Sequence, residues 1–103
     1  MSELRKHPRV HFGFRVEDPA KRMVWMTEDI SVGGCFIKTL ESLPIGSKVN
    51  LVFQLPGSSL YIDAVGEVKH LRGNGMGIEF TAMGENGKEE TGRFVQDFAQ
   101  YQE

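Results

Sequence analysis

Cysteine is nearly missing: Cys35 is the single thiol in 103 residues. One thiol excludes an internal disulfide framework and any paired-cysteine metal site. Its apolar surroundings point to packing rather than reactivity. Long apolar runs are also missing. No stretch approaches the ~20 residues of a membrane span, and no secretory signal opens the chain, so a cytoplasmic protein without membrane insertion is expected. A surplus of either charge is missing too. Twelve Lys and Arg stand against fourteen Asp and Glu, a net charge of −2, which gives no bulk attraction to nucleic acid. Internal repeats, low-complexity segments and linkers are absent.

Catalytic signatures are equally scarce. His7, His11 and His70 are scattered, and none stands at metal-ligand spacing with a cysteine or an acid. There is no Ser/His/Asp arrangement, no phosphate-binding loop and no nucleophile beside a base. Gly73-x-Gly75-x-Gly77 is glycine-rich, but it joins two strands and opens no helix, so it fails the dinucleotide fingerprint on context. The expectation is a protein with no enzymatic activity, no metal and no cofactor.

What remains is an ordinary globular composition, 40% apolar and 25% charged, in a chain long enough for one compact domain. Val10 to Val16 alternates with period two and reads as a half-buried strand. Glu17-Asp18-Pro19-Ala20 reads as a turn. Strands follow over 23–27, 35–39, 48–55 and 60–71, the last with Gly66 marking a bend or bulge. Arg72-Gly73-Asn74-Gly75 is a hairpin signal, and 76–80 returns. Six short strands joined by tight turns predict a small antiparallel β-barrel over 10–81. Phe94, Val95, Phe98 and Tyr101 then recur at helical spacing, and Asn86 with Glu89 resembles an N-cap pair. A C-terminal helix over 86–102, laid on the barrel, completes an all-β fold with one helix. The helix face could instead meet a partner or a second copy of the chain.

The charges are unevenly placed. Residues 1–22 hold six cations (Arg5, Lys6, Arg9, Arg15, Lys21, Arg22) against three anions. Residues 79–103 hold six anions against two cations. The basic end contains Arg5-x-x-x-Arg9. Arginine keeps its charge at any working pH and matches phosphate, or the O6/N7 edge of guanine, with two parallel hydrogen bonds. Pro8 disfavours helix at His7, so the two arginines belong to an extended arm over 1–9, spaced roughly 13 Å at ~3.3 Å per residue. Taken alone, such a motif also fits a solvated terminus.

The second motif is Asp29-x-Ser31-x-x-Gly34, between two strands. A carboxylate only accepts hydrogen bonds, and the Watson–Crick edge of guanine offers two adjacent donors, which adenine does not. Ser31 adds a small hydroxyl for a base or phosphate. Gly33 and Gly34 suit a sharp turn or a close approach of backbone to ligand. Taken alone, this motif also fits an Asx- or Ser-type turn.

Both motifs, in this order and spacing and followed by Gly75-Met76-Gly77-Ile78-Glu79-Phe80, resemble the PilZ domain family of bacterial cyclic di-GMP receptors. The resemblance spans Leu4 to the C-terminal helix. It implies a single non-catalytic receptor domain over 1–103 whose ligand is cyclic di-GMP. The implied contacts are Arg5, Arg9, Asp29, Ser31, Gly33 and Gly34, with Leu4, Lys6 and His7 adjacent. It further implies a relay through ordering of the arm to a downstream protein, from a monomer or weak homodimer. The rival readings are a protein-interaction module with vestigial motifs and a small barrel for single-stranded nucleic acid. The latter needs exposed aromatics along a basic groove, which the core-like alternation of the aromatics does not provide.

Overall fold

The computed structural model describes residues 9–99, and Ala99 only through its backbone. In chain order the elements are β1 (Val10–His11), β2 (Arg15–Asp18), β3 (Met23–Ser31), β4 (Gly34–Lys38), β5 (Lys48–Gln54), β6 (Tyr61–Arg72), β7 (Gly75–Met83) and α1 (Gly87–Ala99). Every pairing is antiparallel. The order β3-β2-β5-β6-β7-β4 closes through a β3–β4 pairing into a six-stranded barrel, with β1 added on β3. Closure leaves those six strands paired on both sides, which removes open sheet edges.

Period-two alternation builds the core. Along β5, Val49, Leu51 and Phe53 are buried while Lys48, Asn50 and Gln54 face out. Ile30, Cys35, Ile37, Val68 and Met76 converge on the same interior from the other strands. Each fully buried aliphatic side chain of this kind contributes about 1.5–3 kcal/mol relative to exposure. Helix α1 adds Phe94 and Val95 to that core. Its first turn opens with the Glu90 N–H bonded to the Asn86 carbonyl, which puts Asn86 at the predicted N-cap position.

Four expectations are revised. The strand expected over 23–27 runs on to Ser31, so Asp29 and Ser31 lie in β3 and only Val32 and Gly33 form the turn to β4. The strand read over 10–16 is two strands, β1 and β2, with Phe12–Phe14 between them. Side-chain alternation continues through the gap, and two backbone bonds to β3 cross it, from the Phe12 N–H to the Glu28 carbonyl at 3.1 Å and from the Thr27 N–H to the Phe14 carbonyl at 2.9 Å, but regular pairing lapses. Thr27 mends it: its hydroxyl accepts the Phe14 N–H at 3.1 Å and donates to the Phe12 carbonyl at 3.0 Å. Glu17 and Asp18, read as turn, end β2 instead. Asp18 is buried because its carboxylate accepts the N–H groups of Lys21 at 3.2 Å and Asn50 at 3.1 Å. The turn begins after it and contains Arg22 at φ 56°. The returning strand β7 runs to Met83, three residues past the predicted end. Gly66 does mark a register shift. Tyr101, Leu4, Arg5, Lys6 and His7 lie outside the described residues.

Candidate functional site

The site begins with a bulge. Thr27 pairs with Ile37 and Asp29 with Phe36, so Glu28 is an extra residue on β3. Before the bulge, Trp25 and Thr27 are buried on the barrel's inner side; after it, Ile30 is. The inserted residue shifts the side-chain parity by one and re-aims Asp29 outward, a common use of bulges next to binding sites. Asp29 stays 6% exposed because two donors cover it. Its Oδ1 accepts from Arg9 Nη1 at 2.7 Å and from the Phe36 N–H at 3.0 Å.

The β3–β4 hairpin holds the rest of the second motif. Ser31 pairs with Gly34 across the turn. The Ser31 hydroxyl accepts the Gly33 N–H at 3.1 Å and donates to the Gly34 carbonyl at 3.4 Å, so its visible work is to lock the turn. The Gly33 carbonyl accepts the Phe80 N–H at 2.8 Å and ties the turn to β7. A side chain at Gly34 would collide with the Ile78 carbonyl oxygen. Close approach of β7, rather than of a ligand, therefore requires glycine there.

These residues line one open cleft of about 850 Å³ on the outside of the barrel. The volume lies within the ~300–1,000 Å³ usual for small-molecule sites. Of the six residues named for the ligand, Arg9, Asp29, Ser31, Gly33 and Gly34 line it. Arg5 lies outside the described residues. The cleft also takes Phe36 from β4, and Lys69, His70 and Arg72 from β6. No motif pointed to these. The available signal was Lys69-His70-x-Arg72, a cationic patch where the apolar alternation of β6 stops before the hairpin. Register explains the gathering: His70 pairs with Gly77, Gly77 with Phe36, Phe36 with Asp29, and Asp29 with His11.

The cleft's cations face nearby acids. Arg72 Nη2 lies 3.5 Å from Glu28 Oε2, and Lys69 Nζ lies 3.5 Å from Glu79 Oε1. Both pairs are solvent-exposed enough to contribute little to stability. Register also brings His11, Glu28 and Asp29 together, with one ligand atom from each inside 4.8 Å. The carboxylates of that group face Arg9 and Arg72, which balance their charge. Behind the cleft wall, burial first and the Asp29 carboxylate second push the Cys35 thiol up to about 12, against an opposing effect of Arg9. That fits the packing role expected for it.

The PilZ domain family model matches residues 3–97. No curated protein sequence matches the chain significantly. Among solved structures, the Bacillus subtilis inhibitor of motility (MotI/DgrA) superimposes with a TM-score of 0.83 at 16% identity. The match covers 94% of this chain and 52% of that one, so the chain spans about half the length of that protein. At this identity the likeness is one of fold.

Proposed function

This chain belongs to the PilZ domain family, and we propose that it is a non-catalytic receptor for cyclic di-GMP. One observation carries the reading. Two motifs separated by 20 residues meet in a single cleft, where Arg9 and Asp29 are joined at 2.7 Å. They bring a bidentate cation and an acceptor-only carboxylate to the same place, which is the chemistry a guanine bis-phosphate requires.

In this reading a guanine edge takes the Asp29 carboxylate and releases Arg9 toward a phosphate. Arg9 also has a buried Nε without a hydrogen-bond partner among the described residues, so its donors are not fully used by Asp29. The rigid hairpin locked by Ser31 and Gly33 holds Asp29 in place, which is how a small site gains precision. Arg5 supplies the second cation, on the strength of the motif. Contacts from both arginines draw the N-terminal segment onto the cleft, and the altered surface is what a downstream protein reads. For the B. subtilis neighbour, inhibition of motility is stated in its own description; an effect of that kind is one output open to this chain.

Calorimetric titration with cyclic di-GMP, then with cyclic di-AMP, tests the reading. Saturable binding of the guanine compound, and weaker binding of the adenine compound, is the expected result. No heat with cyclic di-GMP sinks it and favours a protein-interaction module with vestigial motifs.

A further inference from the structure

We infer that Arg72, with Phe36 and His70 beside it, forms a stacking surface for a purine base in the cleft, a contact separate from those of the two motifs; this rests on the receptor reading above. The glycines of Gly75-x-Gly77 make room for it. A Cβ at Gly75 would collide first with the Ile37 carbonyl oxygen and then meet Phe36 Cε2 and Cζ at 2.6 and 2.8 Å, and a Cβ at Gly77 would collide with the His70 ring. Bare backbone on β7 therefore lets both rings lie against that strand. Their centroids are 6.2 Å apart with planes tilted by 26°.

Arg72 completes the arrangement. Its Cζ lies 3.9 Å from the Phe36 ring centroid, a cation–π contact, and Glu28 holds the guanidinium at 3.5 Å. The side chain is still 52% exposed and lines the cleft with His70. One face of the guanidinium lies on Phe36, and no contact found among the described residues occupies the other. A neutral planar base is the group that such a face receives. Guanidinium and imidazole planes serve this purpose for unpaired bases in general, and a plane already held by two neighbours loses little freedom on receiving a third.

The test separates plane from charge. Arg72→Lys keeps the charge and loses the plane; Arg72→Ala loses both. The site is half exposed in a hairpin, so both variants are expected to fold. Calorimetry with cyclic di-GMP should show both weakened by about fivefold or more, the range of single base-stacking contacts. The ultraviolet hypochromism of the guanine band on binding, which a purely structural role for Arg72 leaves unchanged, should shrink in both. Parental affinity and hypochromism in Arg72→Lys overturn the inference, whatever Arg72→Ala does, and leave the receptor reading standing. Failure of the parent protein itself to bind cyclic di-GMP overturns the receptor reading, and this inference with it.

Discussion

Arg9 and Asp29 share one hydrogen bond of 2.7 Å, and the oxygen that accepts it also accepts the backbone N–H of Phe36. A single carboxylate oxygen thus fastens the root of the N-terminal segment to the β3–β4 wall of the cleft. A ligand that takes this carboxylate changes the footing of Arg9 at the same moment.

Arg9→Ala should lower affinity for cyclic di-GMP at least about tenfold. A charged hydrogen bond contributes about 1.5–3 kcal/mol, and ~1.4 kcal/mol is a decade. Asp29→Ala should weaken cyclic di-GMP binding and narrow its advantage over cyclic di-AMP. It should also cost about 1–3 kcal/mol in stability, because the Phe36 N–H is left buried without a partner. Calorimetry and urea denaturation read the two effects. Parental selectivity in Asp29→Ala removes the guanine assignment.

Glycine at 34 is set by packing, and Gly84 is not. A Cβ at Gly34 runs into the Ile78 backbone, whereas at Gly84 the nearest atom is 3.6 Å away. Gly34→Ala should therefore destabilise by at least the about 1–3 kcal/mol of overpacked cores, and Gly84→Ala by well under ~1 kcal/mol. Equal denaturation midpoints for the two variants contradict the close β4–β7 approach.

Thr27→Val keeps the shape of the side chain and deletes the hydroxyl that bridges Phe12 and Phe14. With a buried donor and acceptor unmatched, stability should fall by about 1–3 kcal/mol. Amide exchange at Phe14 should accelerate, since its N–H donates to that hydroxyl. Unchanged protection at Phe14 counts against the mend.

The Cys35 thiol, raised from 9.0 to about 12, links stability to alkaline pH. A group whose folded value exceeds its unfolded value contributes stability that is complete below the unfolded value and is lost as pH rises through the folded one. The stability of the parent should fall between about pH 9 and pH 12 more steeply than that of Cys35→Ala. Parallel pH profiles for the two proteins refute it. Native protein at pH 8 should also resist alkylation, because the thiolate is the reactive form.

The barrel was legible in the sequence because its strands alternate strictly; β5 is the clearest case. The break at Phe12–Phe14 was not, because Val10, Phe12, Phe14 and Val16 keep their alternation while the backbone leaves the ladder. The groups the break leaves over, the Phe14 N–H and the Phe12 carbonyl, are met by Thr27, a residue on another strand. Asp18 departs from its sequence signal for a similar reason: Asp-Pro signals a turn, yet the N–H of Asn50, 32 residues on, satisfies the carboxylate inside a strand. At the site, Arg9 and Asp29 could be picked out as motif residues, but the turn of Asp29 toward the outside depends on a bulge that no local pattern marks. Phe36, Lys69, His70 and Arg72 belong to no motif, because only the register of four strands assembles them.

The ring of Phe12 sits edge-on to Phe94 at 5.7 Å and to Phe98 at 5.1 Å, three residues past Arg9. One aromatic side chain thereby buttons the segment between β1 and β2 to helix α1. Shortening the helix before Phe98 would take away one of the two rings that seat Phe12, three residues along the chain from the arginine that meets Asp29.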